Sequence, residues 1–265
     1  MRIDMRKLRV LFLVVLLFAI VGPANAYAVG IFNEDGVSLI PEIGITIGAT
    51  DDPEAVVATL QILFLVSLIA LAPSLLLLLT AFTRIIIVLS FTRQAMATQQ
   101  MPPNQVLVGI AIFLTIFTMT PVFREVNENA LIPFGAGEMS MNEAIDAGME
   151  PIREFMLRQL GSDQGVDVLE LFFNLADEQM TEPEDIPNYV LIPAFVIYEV
   201  TQGFMMGFLI YLPFIVIDMV TASVLMSMGM MMLPPAMISM PFKILVFILA
   251  GGWRVVIEQT LLTFR

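Results

Sequence analysis

The side chains of this sequence that could do chemistry are carboxylates, amines, guanidinium groups and hydroxyls, because the sequence contains no histidine and no cysteine. This composition excludes disulfides, thiol nucleophiles, Cys/His zinc sites, Ser-His-Asp triads and histidine proton relays. Carboxylates alone could bind a metal ion, but no motif with metal-ligand spacing supports such a site. We therefore expect no enzyme, no metal site and no cofactor.

Four charged residues stand within or between long apolar runs, namely Arg84, Glu199, Asp218 and Lys243. Each would cost about 2.5–3.5 kcal/mol at the centre of a bilayer, so each needs a partner or water. Glu199 and Lys243 are opposite charges in the second apolar half, and we expect them to pair within one subunit or between neighbours. The alternative is that each charge marks a helix end at the membrane interface, which we favour for Arg84. A proton path through Glu199 and Asp218 is a further alternative, but no adjacent histidine or second carboxylate supports it.

The second half also contains a methionine-rich break. Pro234 and Pro235 lack N–H donors and clash with a preceding helical turn, so a helix must stop before them; a returning helix is expected from about Pro241. Irregular backbone at membrane depth is tolerated only where protein buries it or where it lines a cavity. We expect Gly229, Pro234 and Pro235 to form a hairpin break whose tip lies on an inner wall.

Methionine dominates that tip, with eight methionines in the 22 residues from Met219 to Met240. Unbranched, polarisable methionine side chains repack around differing shapes, so several copies could form a compliant seal around a passing chain. We assign that seal to Met230, Met231 and Met232. The alternative is that these methionines only fill gaps in a helix bundle.

The composition is that of a membrane or membrane-assembly protein. Of the 265 residues, 58% are hydrophobic and only 14% are charged, with a mean hydropathy of +0.89, whereas soluble domains carry roughly 25% charged residues. The formal net charge is −13. Nucleic acid is therefore an improbable partner, because phosphate binding needs clustered lysine and arginine.

The first 26 residues have the layout of a secretory signal peptide. Arg2, Arg6, Lys7 and Arg9 precede a short apolar stretch, and Ala24-Asn25-Ala26 supplies small residues for cleavage between Ala26 and Tyr27. An uncleaved anchor is the alternative. Residues 27–54 follow as an exposed arm.

Two hydrophobic segments predict two helical hairpins, at residues 55–123 and 189–265. The first begins with 29 uncharged residues, Ala55 to Thr83, in which Pro73 predicts a kink. Between the hairpins, residues 124–188 are acidic: fifteen acidic side chains lie from Glu125 to Asp185 against two arginines. Helical periodicity places Ile145, Met149, Ile152, Met156 and Leu160 on one face, so a small helical extracytoplasmic domain is expected.

Four stretches resemble the FliP family of flagellar type III export-gate proteins and their virulence-system relatives. They are AFTRIIIVLSFTRQAMATQQMPPNQVLVG (81–109), PAFVIYEVTQGFMMGF (193–208), PFIVIDMVTASVLMSMGMMMLPP (213–235) and PFKILVFILAGGW (241–253). The resemblance implies an all-α fold of long hairpins that assemble into a helical oligomeric pore. It also places a methionine gasket at Met230–Met232 and an inter-subunit charge pair at Glu199 and Lys243.

The same resemblance implies a place and partners. The place is the bacterial inner membrane and the periplasmic level of the flagellar basal body. The partners are further copies of the chain, FliQ-like and FliR-like subunits, FlhB-like and FlhA-like export components, and unfolded export substrates. A small-solute transporter is the alternative function, because broken helices at the midplane also occur there.

Overall fold

The structure, a computed structural model, describes residues 63, 66, 67, 70, 71, 74, 77–98, 101–178, 185–230 and 233–264. The positions before residue 76 belong to a separate unit and are helical where described. The predicted signal peptide with its Ala26–Tyr27 cleavage site, the arm and the kink at Pro73 lie outside the described residues. In the described part of the chain every regular element is a helix, so the predicted all-α class is confirmed.

The described residues of the second unit form eight α-helices and one π-helical turn. The α-helices are α1 (Phe82–Ala95), α2 (Asn104–Val126), α3 (Ile132–Ala136), α4 (Met141–Leu160), α5 (Asp163–Leu175), α6 (Asn188–Ser227), α7 (Pro235–Leu249) and α8 (Gly252–Leu262). The π-helical turn, Asn127–Leu131, joins α2 to α3. The helical stretch that starts at Asn104 thus runs on past the Arg124 boundary that the charge pattern suggested.

Two described helical stretches are long and apolar enough to cross a membrane, Asn104–Ala136 with 33 residues and Asn188–Ser227 with 40. A third candidate is the pair α7 and α8, which bends by 61°. The bend lies at Gly251 and Gly252, both with positive φ, a conformation that glycine adopts without a steric penalty. The lengths fit the roughly 20 residues that a span requires.

The core forms where α1 lies between α6 and α2. Ile85, Val88 and Leu89 of α1 are buried with Leu191 and Phe195 of α6. Helix α4 packs on α2 and α6, and α5 packs along α6. Only one stripe of the long α6 is covered in this way, so the rest of that apolar helix stays exposed.

The acidic middle segment contains two capped helices. Ser140 caps α4 and Ser162 caps α5, each accepting a backbone N–H three residues on. The prediction that one apolar face of α4 is buried is confirmed only for the second half of the helix. Met156 and Leu160 are buried, but Ile145 is 59% exposed, because the first half of α4 extends beyond the core.

We expect Ser140→Ala to destabilise the start of α4 by about 1 kcal/mol, measured as faster hydrogen exchange of its first-turn amides. Ser140 and Glu143 form a reciprocal capping box, in which the Ser140 N–H donates to Glu143 Oε2 at 2.7 Å. The backbone N–H and then the hydroxyl of Ser140 hold the pKa of Glu143 below its ordinary value.

The pKa shift predicts a pH dependence with a definite sign. A lowered pKa means that the box stabilises the helix fully above the unfolded-state value of about 4.3 and loses that contribution on further acidification. Glu143→Gln should remove this acid response, whereas Glu154→Gln, a change at an exposed position on the same helix, should leave it intact. Ser140→Ala keeps the backbone N–H that lowers the pKa most, so it should reduce the response only in part. An unchanged acid response in Glu143→Gln would contradict the assignment.

Candidate functional site

The methionine-rich break joins α6 to α7. Helix α6 ends at Ser227, and Gly229 takes a left-handed conformation with φ of +74°. The N–H of Met230 then donates to the Leu225 carbonyl at 3.0 Å, which completes a glycine-terminated helix end. Helix α7 begins at Pro235, not near Pro241 as expected, because proline fits the first helical position, where no N–H is needed.

The described residues of the tip are apolar and open. Met226, Met228, Met230, Leu233 and Met237 are between 40% and 67% exposed, and a Cβ at Gly229 would meet nothing within 4 Å. Met231 and Met232 lie outside the described residues. The described part of the tip therefore offers flexible apolar side chains between a glycine-terminated helix end and a helix that begins at proline.

Arg84 and Glu199 form a buried ion pair between α1 and α6. Arg84 Nε donates to Glu199 Oε2 at 3.0 Å, and an Nη of Arg84 donates to Glu199 Oε1. Arg84 is 2% exposed and Glu199 is fully buried. Two parallel bonds of this kind fix the relative position of a guanidinium and a carboxylate.

The remaining N–H groups of Arg84 bind two further elements. One nitrogen donates to the Thr263 carbonyl at 3.2 Å and to its hydroxyl at 3.0 Å, and another donates to Gln159 Oε1 at 3.2 Å. The guanidinium also lies 4.2 Å from the ring centroid of Phe264. All five N–H donors of Arg84 are thus used, and the residue ties α1, α4, α6 and the end of α8 together.

Asp218 and Lys243 form a second ion pair, between α6 and α7. Lys243 Nζ donates to Asp218 Oδ2 at 2.6 Å, and Ser239 Oγ donates to Asp218 Oδ1 at 2.6 Å. Lys243 is 2% exposed, whereas the Asp218 side chain is 38% exposed. The pair links the two helices on either side of the methionine-rich break.

These partners differ from those expected from the sequence. Within the chain Glu199 and Lys243 do not pair, because each is held by another residue. Arg84 does not mark an exposed helix end; it is buried where α1 packs on α6. Asp218 binds a lysine and a serine, and in the described part of the chain it has no hydrogen bond to a second carboxylate that could continue a proton path. A Glu199–Lys243 pair between neighbouring subunits stays a prediction.

Two glycines that sequence reasoning missed let α1 approach α6. A Cβ at Gly203 would lie 3.0 Å from Cβ of Ile87, and a Cβ at Gly207 would lie 2.5 Å from Cγ of Phe91. Gly203 and Gly207 are four residues apart on α6 and therefore lie on one face of that helix. Ile87 and Phe91 have the same spacing on α1. The four-residue spacing of Gly203 and Gly207 is the signal for such close helix packing.

The described residues contain no group of three or more acidic side chains placed to hold a metal ion. In each ion pair the charged groups bond to one another and to neighbouring hydroxyl, amide or carbonyl groups. Their arrangement holds helices together.

Comparison with known proteins gives a consistent result. The model of the FliP family matches residues 65–260. The flagellar biosynthetic protein FliP of Bacillus subtilis is 50% identical over 223 residues, which cover 83% of this chain and 98% of that protein. The FliP proteins of Treponema pallidum and Aquifex aeolicus are 44% and 39% identical, over 89% and 86% of this chain and 86% and 93% of their own lengths.

Proposed function

This chain belongs to the FliP family, and from that premise we propose that it is a structural subunit of the gate through which unfolded flagellar proteins cross the bacterial inner membrane. The observation that carries the proposal is α6, a 40-residue apolar helix. It ends in a tip with solvent-exposed methionines, and two prolines after the tip begin the next helix. A transporter for small solutes is not favoured, because the relatives are named as flagellar biosynthetic proteins.

Exposed apolar surface supports assembly with other chains. Phe208, Leu209, Val216 and Met219 of α6 are each more than half exposed, as is Phe117 of α2. A helix that is apolar all round needs lipid or protein on every side. We propose further copies of the chain and FliQ-like and FliR-like subunits as that cover. FlhB-like and FlhA-like export components are further proposed partners, and the proposed location is the bacterial inner membrane and the periplasmic level of the flagellar basal body.

Assembly is tested by purifying the native complex and measuring its subunit mass ratio. Several copies of this chain with smaller helical partners are expected. If the chain purifies alone and transports a small solute when reconstituted, the transporter function would be favoured over the export gate.

The seal is tested by replacing Met230, Met231 and Met232 together with alanine. We expect the complex to assemble but to conduct ions in a planar bilayer, because shortened side chains leave gaps between the gathered tips. Leucine at the same three positions keeps the apolar volume and serves as the control with low conductance. Unchanged conductance in the alanine variant would show that the tip is not the seal.

A further inference from the structure

A cleft of about 1000 Å³ opens between α2, α4 and α8. Ile257 and Leu261 of α8 give it an apolar wall. Gln159 and Phe264 line it as well, and both contact the guanidinium of Arg84. The cleft therefore borders the network around the first ion pair, and whatever fills it also packs on two side chains that hold that network.

Two arginines with no hydrogen bond or ion pair to the rest of the described chain line the same cleft. Arg158 comes from α4 and Arg254 from α8, and both are exposed. Arg84 and Lys243, in contrast, are buried and paired. Glu258 is the acidic residue in the lining, so the cleft keeps an excess of one positive charge. An occupant with carboxylates would supply the missing counter-charge.

The outer face of α5 has the complementary chemistry. Helix α5 packs along α6 and buries Leu169 and Phe173. Asp167, Leu171 and Leu175 are four residues apart and form one row on the opposite side. The two leucines are 50% and 72% exposed, and α5 contains three carboxylates and no lysine or arginine. A helix with leucines at this spacing beside carboxylates suits an apolar groove edged by cations.

The charged and apolar residues also follow in the same order on α5 and on the α8 wall of the cleft. On α5, Asp167 lies eight residues before Leu175, and on α8, Arg254 lies seven residues before Leu261. Both intervals are about two helical turns, or roughly 10–12 Å. If the two helices lie side by side and parallel, Asp167 meets Arg254 while Leu175 meets Leu261.

We propose that the cleft of one copy of this chain receives α5 of the next copy. A second copy is favoured over an unrelated protein because the chain itself carries both halves of the match. The cleft and the outer face of α5 are different surfaces, so the contact is heterologous and repeats from copy to copy as a ring or a helix. The inference rests on the several copies within the proposed function and adds the two surfaces that join them.

The experiment is cysteine cross-linking of the full chain in membranes that contain the native complex. The sequence has no cysteine, so Leu175→Cys on α5 and Leu261→Cys in the cleft report this contact alone when a short bismaleimide is added. A chain with both substitutions should give a ladder of dimers, trimers and larger products. The two single variants expressed together should give dimers only, and either single variant by itself should stay monomeric.

Charge reversal tests the role of the arginines in this contact. Arg158→Glu combined with Arg254→Glu should lower the cross-linking yield about tenfold, since two attractive contacts become repulsive. Adding Asp167→Arg and Glu170→Arg to the same chain should restore most of the yield. Arg124→Glu, at an exposed position on α2 outside the cleft lining, is the matched control and should cross-link as the unaltered pair does. All the altered side chains are exposed, so the unfolding midpoint in detergent should not change.

Three results would overturn the inference. The first is the absence of a ladder although the native complex holds several copies, which would place their contact elsewhere and leave the export-gate proposal intact. The second is a cross-link from the cleft cysteine to a chain of different mass, which would assign the cleft to a partner subunit. The third is equal cross-linking by the charge-reversed chain and the Arg124→Glu control. A chain that forms the ladder but transports a small solute would contradict the export gate and not this contact.

Discussion

Glu199→Gln is expected to destabilise the protein by about 3–5 kcal/mol, because it leaves the buried Arg84 guanidinium without its counter-charge. Gln keeps the size of the side chain, so packing around it changes little and the lost charge dominates. The measurement is the unfolding midpoint of the purified chain in detergent, together with its level in the membrane. Glu154→Gln removes the same charge from an exposed position and should have almost no effect.

A double-mutant cycle separates pairing from burial. If Arg84 and Glu199 stabilise each other, replacing both with apolar residues of similar size should cost less than replacing either alone. Additive losses would show that the two residues act independently. In that case the buried contact between Arg84 and Glu199 would not explain the stability of the α1–α6 packing.

The charge swap Glu199→Lys with Lys243→Glu tests the pairing expected from the sequence. In the chain itself this swap places a lysine beside Arg84 and a glutamate beside Asp218, so folding should worsen. An inter-subunit pair predicts instead that the swap restores assembly lost in Glu199→Lys alone. Recovery of assembly would therefore favour the contact between subunits over the partners seen within the chain.

Short-range sequence signals predicted the helices, but they did not predict contacts between residues far apart in the chain. Apolar periodicity predicted α4, and Pro234-Pro235 predicted the break after α6, since both signals act within a few residues. The partner of Glu199 lies 115 residues away. The sequence predicted Lys243 as the partner of Glu199 and a helix end at Arg84, and only the packing of α1 on α6 brings Arg84 to Glu199.

The same limit explains the exposed first half of α4. Ile145 lies on the apolar stripe of its helix, but a stripe shows only which face is turned inward and not how far the neighbouring helices extend. Helix α2 continues past Arg124 for a related reason. Charge marks where a helix can meet water, whereas hydrogen bonding lets the helix itself run on through Glu128.

Gly207→Ala is expected to destabilise the chain by about 1–3 kcal/mol, although alanine is the better helix former. The new methyl group would lie 2.5 Å from Cγ and 2.8 Å from Cβ of Phe91. The Phe91 ring also packs edge-on against Phe204 at a centroid distance of 5.2 Å, and turning the ring would leave the contact with the Phe91 Cβ in place. Helices α1 and α6 would have to separate, which strains the Arg84–Glu199 pair between them.

Gly109→Ala on α2 is the matched control, because a Cβ there meets nothing within 4 Å. That change should stabilise the helix by roughly 0.5–1 kcal/mol through the loss of glycine's conformational freedom. The two substitutions are chemically identical and opposite in expected sign, so the difference between them measures the close approach of α1 to α6. Phe91→Ala should remove only part of the penalty of Gly207→Ala, since it removes the ring but keeps the Cβ that would lie 2.8 Å from the methyl group. If Gly207→Ala proves as harmless as Gly109→Ala, the two helices are not in close contact at this point, and the buried ion pair must be held in place by α4 and the end of α8 instead.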